Sequence, residues 1–188
     1  MLVEHSREKL INSIIYFLNN TKNCGKTKLF KLLYYLDFMH FRETGRPVTG
    51  LDYYAWDFGP VPKNLFNEME NPATDLKESI FIPVKAEKDY KSFVEIKAKK
   101  KFDDKYFTKR ELRILEKVAF IFKDANAEDI IETSHLPNHP WDKTILTNGE
   151  KAKIDYTLAL DSSESSLSLE EVLERIKDKE EIKKAFNA

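Results

Sequence analysis

The chain offers few residues that could do chemistry, beginning with one cysteine, Cys24, and four histidines. Cys24 stands just ahead of a helical segment, where the positive helix end and Lys26 favour a thiolate. A cysteine nucleophile also needs a positioned histidine, and nothing in the spacing brings His40, His135 or His139 to it. We therefore read Cys24 as an ordinary loop cysteine. His135 and His139 are four apart, the spacing that puts two imidazoles on one helix face. Pro137 between them argues against a regular helix, and Leu136 stands where an HExxH metalloprotease needs its glutamate. The expected role is a turn histidine hydrogen-bonded to backbone, and no metal site is expected. Five glycines form no phosphate-cradling loop, and no GxSxG elbow is present. These observations point away from an enzyme and imply no cofactor.

A second cluster is basic. Lysines 85, 88, 91, 97, 99, 100 and 101 interleave with Tyr90 and Phe93, a pattern compatible with nucleic-acid contact. Glu87, Asp89 and Glu95 dilute that charge, and lysines also guard exposed strand edges. With a net charge of −1 there is no general attraction to nucleic acid, so edge protection is the preferred reading.

The third cluster is aromatic, DYYAWDFGPVPKNLF at positions 52–66. Period-two alternation would turn Tyr54, Trp56 and Phe58 one way and Tyr53, Ala55 and Asp57 the other. Exposed aromatics anchor interfaces well, whereas large aromatics in globular domains mostly fill cores. Gly59 permits a turn, and Pro60 is suited to the first position of a helix running to about Met69.

The elements that must position these residues are mainly helical. Apolar residues recur at helical spacing over 6–20, and 27–45 is apolar almost all round, which predicts a central helix stopped by Gly45. Alternation over 79–84 and 92–98 predicts a β-hairpin or two strands of a small sheet that 52–57 could join. Thr108-Lys-Arg-Glu111 is a capping box opening a helix, Asn126 starts a short one, and the two prolines of SHLPNHPWDKTI allow a brief turn after Pro140. The expected fold class is α+β, predominantly helical. A globular unit over 1–160, a polar linker at 161–168 and a C-terminal helix over 169–188 complete the organisation. A lone cysteine, and an N-terminal stretch without signal-peptide order, suit a cytoplasmic location with no membrane role.

In order and type, KTKLFKLLYYLDFMHFRETGRPVTGLDYYAWDFGPVPKNLF resembles the core signature of the Panacea domain family, also called SocA-like. The matching residues run from Lys28, Leu29 and Lys31 to Gly45, Tyr54, Trp56, Gly59, Pro60 and Leu65. ETSHLPNHPWDKT resembles the family's second block through His135, Pro140 and Trp141. The resemblance implies an antitoxin of bacterial and phage toxin–antitoxin pairs that neutralises a cognate toxin by direct protein–protein binding. One branch of the family instead delivers its toxin to a Clp protease as an adaptor, and a nucleic-acid-binding regulator is a further alternative. On this basis the candidate partner-binding residues are Tyr53, Tyr54, Trp56, Phe58, His135 and Trp141.

Overall fold

A computed structural model describes residues 5–83 and 94–187. Among them are eight α-helices and two two-stranded antiparallel sheets. Helix α1 (Ser6–Asn20) buries Leu10, Ile14, Ile15 and Phe17. Helix α2 (Lys26–Thr44) is central: twelve of its nineteen residues are buried, and it packs on α1 and on later helices. Gly45 ends it in the left-handed conformation at φ 72°, its N–H donating to the Phe41 carbonyl, as the sequence predicts.

Strands β1 (Tyr53–Trp56) and β2 (Gly59–Pro62) form a hairpin with Asp57 and Phe58 at its tip. This overturns two expectations. Residues 52–57 do not join the later strands, and Pro60 lies in a strand, with helix α3 (Lys63–Glu68) opening three residues further on. The register gives the reason. Pro60 and Pro62 stand opposite Ala55 and Tyr53, whose own backbone groups turn outward to bond residues 151, 152 and 154. At such positions a strand residue needs no N–H toward its partner, so proline is tolerated. Alternation itself holds: Tyr53 and Ala55 are buried, and Tyr54 and Trp56 half-buried.

Helix α4 (Thr74–Ser79) runs into β3 (Ile80–Phe81), which pairs with β4 (Lys97–Ala98). The strands are shorter than the expected 79–84 and 92–98: Ser79 is helical, and 82–83 and 94–96 are described but lie in no strand, while 84–93, with the lysines at 85, 88 and 91, lies outside the described residues. Helix α5 (Lys109–Ile121) opens with the expected capping box, both bonds present, and buries Ile114, Leu115, Val118 and Ala119. Helix α6 (Ala127–Ser134) has a second box, with Asn126 and Asp129 exchanging bonds. Helix α7 (Pro140–Asn148) is longer than the brief turn expected. Pro140 occupies its first turn, where the missing N–H costs nothing, and no proline follows before Gly149 ends it.

The final helix, α8 (Leu169–Asn187), starts at Ser168, which exchanges bonds with Glu171. It returns to the end of α2. Leu167 N–H donates to the Arg42 carbonyl, Arg175 donates to the Thr44 carbonyl, and Val172 is buried against Gly45. Leu169, Leu173, Ile176 and Ile182 remain exposed.

One buried carboxylate ties α2 to the loop leading into β1. Asp37 Oδ1 accepts from the Val48 and Thr49 N–H groups at 2.8 and 2.7 Å. Its Oδ2 accepts from the Thr49 hydroxyl, and from the Tyr53 hydroxyl at 2.9 Å. The aromatic side chains of Tyr34, Phe38, Tyr53 and Tyr156 pack around this node.

Candidate functional site

The aromatic corner and the histidine block, far apart in sequence, meet around Gly59. The tight hairpin places Gly59 at φ 89°. A Cβ there would stand 2.6 Å from Ser134 Oγ, 2.8 Å from Lys31 Cε and 3.0 Å from His135 Nε2. Only glycine permits this approach of β2, α2 and the end of α6. Trp141, in the first turn of α7, closes the arrangement: its indole N–H donates to the Trp56 carbonyl at 3.0 Å. The His135 ring stacks on the Trp141 indole with centroids 3.9 Å apart and planes 16° from parallel.

His135 Nε2 is buried without a hydrogen-bond partner among the described residues. The expectation is that one of His135 and His139 hydrogen-bonds backbone in the turn; this nitrogen of His135 does not, and its ring is stacked on Trp141 instead. Burial, then the neighbouring Lys31, pull its pKa below the ordinary histidine value, which keeps the imidazole neutral. His139 ends the intervening loop at the start of α7, so the two histidines share no helix face, as Pro137 between them predicts. Among the described residues no three His, Cys, Asp or Glu side chains are grouped to hold a metal.

Lys31 is one of the residues that match the family signature, but its setting is not visible in the sequence. It is buried, and its ammonium group donates to the Pro60 carbonyl at 2.9 Å. The hairpin register turns that carbonyl away from β1, so the lysine supplies what the strand does not. Burial pulls the Lys31 pKa down to about 7. One turn earlier Lys28 is also buried, but it reaches the carbonyls of Lys22 and Ala125 at 2.7 and 2.6 Å. Lys28 thus joins the α1–α2 and α5–α6 connections, whereas Lys31 has a single carbonyl. The legible signal for both was a pair of lysines three apart in a helix otherwise apolar.

A stability prediction follows from Lys31. A group whose folded pKa is lowered contributes stability above its unfolded value, near 10.4, and loses it as pH falls through about 7. Lys31→Met removes that loss and gives up one bond to a carbonyl. We expect it to raise stability by about 2 kcal/mol at pH 7 and to flatten the stability profile between pH 7 and 10. Urea denaturation across that range checks it. A destabilised Met variant at pH 7 would show that the charge is needed in place.

Cys24 is buried, and burial raises its pKa to about 11 against the opposing hydrogen bond from Thr21 and the charge of Lys28. The helix-terminus effect considered from sequence is outweighed, and the thiol stays protonated at neutral pH.

The candidate partner-binding residues divide by exposure. Tyr53 is fully buried with its hydroxyl on Asp37, so its side chain drops out of any exposed surface. Tyr54 and Trp56 are half-buried, with Trp56 against Phe66 and Lys63 over the Tyr54 ring. His135 and Trp141 form the stacked pair, both partly exposed. Phe58, at the hairpin tip, is 71% exposed, and Leu136, next to His135, is exposed as well.

The fold and this corner define a class, a predominantly helical α+β domain whose signature residues close a hairpin onto the central helix. The sequence model of the family described as "Antitoxin SocA-like, Panacea domain" matches residues 29–142, and the chain belongs to that family. No curated protein and no solved structure matches the chain. The matched span begins in α2 and ends one residue past Trp141, so both halves of the corner lie inside it.

Proposed function

We propose that this chain is a cytoplasmic antitoxin that neutralises a cognate toxin protein by direct binding, without catalysis of its own. Family membership over 29–142 supports the reading, and one structural observation carries the contact surface: Phe58 stands exposed at the tip of the hairpin that bears the family signature. Around it Tyr54, Trp56, Trp141 and Leu136 supply half-buried and exposed apolar area, the kind of surface in which a few aromatic anchors dominate binding. No helix among the described residues is long and apolar enough to cross a membrane.

Co-expression with the neighbouring open reading frame tests the class. The neighbour alone should arrest growth, and this chain should relieve the arrest and co-purify with it. Phe58→Asp should leave the fold intact, because the side chain touches solvent, and should weaken the complex at least tenfold. Full rescue and unchanged affinity in that variant would move the interface elsewhere. Toxin levels that fall only when a Clp protease is present would replace neutralisation by the adaptor mechanism.

A further inference from the structure

Two basic side chains face each other inside the corner with nothing to neutralise them. Lys31 is 1% exposed, and its ammonium group reaches one acceptor, the Pro60 carbonyl. His135 Nε2 is buried with no hydrogen-bond partner among the described residues. Lys31 Cε and His135 Nε2 both lie within 3.0 Å of the Cβ that Gly59 lacks, so they are no further apart than twice that distance. The oxygens of this corner are engaged, Ser134 Oγ donating to the Ile131 carbonyl at 2.8 Å and the Pro60 carbonyl accepting from Lys31.

Among the described residues no carboxylate acts on the pair. On α2, Lys28 turns to the Lys22 and Ala125 carbonyls, Tyr34 lies buried beside the Trp141 backbone, and Tyr35 stacks on Phe122. Strand β2 brings only Gly59, Pro60, Val61 and Pro62. On the rest of the hairpin, Asp57 is exposed at the tip, and Lys63, just after β2, lies over Tyr54. On α6, Glu128 and Glu132 are exposed and Asp129 closes the Asn126 capping box. Asp142 of α7 accepts from the Asn138 N–H, and with Lys143 it acts on His139. Apart from burial, Lys31 is the one charge that acts on His135, and nothing but burial acts on Lys31.

We propose that this pair makes the corner an acid-operated switch: a proton on His135 Nε2 drives the ring off Trp141 and loosens the hairpin tip. Lys31 takes up its proton at about 7, while His135 charges only below the ordinary histidine value, so the second cation forms beside the first. The added N–H meets no free acceptor in place. An indole face favours a stacked cation only modestly, whereas a buried charge without a counter-ion costs several times more. The ring is partly exposed, so its way out leads to water. The indole it leaves holds the Trp56 carbonyl, immediately before the tip, and the support of Phe58 weakens with it. What the switch controls rests on the antitoxin reading of that tip; the movement itself does not.

Proton–nitrogen correlation spectra of the full chain alone, taken from pH 8 to pH 5 together with the His135 ring protons, test the switch. The chain has two tryptophans, so the Trp141 indole signal is one of two. We expect it to shift reversibly with the same midpoint as the His135 ring. His135→Phe, which keeps an aromatic ring but takes no proton, should abolish the shift. Lys31→Met should raise the His135 midpoint by about half a unit, what one charge at this range exerts even through water. His139→Gln and Asp37→Asn remove other groups that titrate in this range and should leave the Trp141 shift unchanged. A Trp141 signal that follows His139 or Asp37, or stays still while His135 titrates, would overturn the proposal. So would a His135 midpoint that Lys31→Met does not move.

Discussion

Asp37→Ala should cost about 4 kcal/mol. Four donors converge on that carboxylate: two backbone N–H groups and the hydroxyls of Thr49 and Tyr53. Alanine strands all four in a site without water access, and each unsatisfied buried donor costs about 1–3 kcal/mol before relaxation. Asp37→Asn should cost about half as much, since its carbonyl still serves the two N–H groups and its amide can donate to the hydroxyls. The pH dependence separates charge from bonding. Burial raises the Asp37 pKa to about 6, with the four hydrogen bonds opposing the rise. A raised folded value means that this group's contribution is fully present below about 4, the unfolded value, and is lost as pH rises through 6. The wild type should therefore gain stability from this group between pH 6 and 4, and the Asn variant should not. Urea denaturation at pH 7 and pH 5 measures both effects, and an Ala variant within 1 kcal/mol of wild type would show that the loop does not depend on this node.

Gly59→Ala should be nearly as damaging, at about 3 kcal/mol. The backbone at φ 89° disfavours any L side chain, and the added methyl would press on Ser134 Oγ and Lys31 Cε at 2.6 and 2.8 Å. Gly50→Ala is the control. Gly50 also has positive φ, at 72°, but an added Cβ would meet nothing within 4 Å, so only the backbone penalty of about 1 kcal/mol applies. Equal losses at the two positions would mean that close packing at the corner contributes nothing. Because the Gly59 methyl would part the hairpin from His135, we also expect the Ala variant to disturb the Trp141 stack, visible as a change in near-ultraviolet circular dichroism.

What the sequence disclosed was the set of features with local causes. The apolar girdle of α2, its glycine stop and the Thr108 box each depend on residues within a turn or two, and all three are found. Alternation through 53–56 likewise sorted the buried from the half-buried aromatics. Pro60 was harder, because a missing N–H suits both the first turn of a helix and an outward-facing strand position, and sequence alone does not separate the two. The corner was legible as a motif but not as a contact. The bond from Trp141 to the Trp56 carbonyl, 85 residues away, and the reach of Lys31 to Pro60, 29 residues away, depend on distant segments being folded together, and no local signal encodes that. Asp37 gives no local signal for the same reason: an acid in an apolar helix declares its burial only through the four donors that fold onto it.

The attachment of α8 has a further consequence. One buried valine contributes about 1.5–3 kcal/mol, and the two bonds to α2 add little more, while nineteen residues must be kept ordered. An element held so lightly belongs to the part of a protein that opens without global unfolding. Undocking of α8 would cost little beyond these contacts, and anything that prefers one form would move the balance. Docked, α8 covers Gly45 at the end of α2 with Val172; released, it would uncover both, while Leu169, Leu173, Ile176 and Ile182 are exposed already. Docking of the C-terminal helix and exposure of the end of α2 are therefore linked quantities, and a partner that binds either form would shift the other.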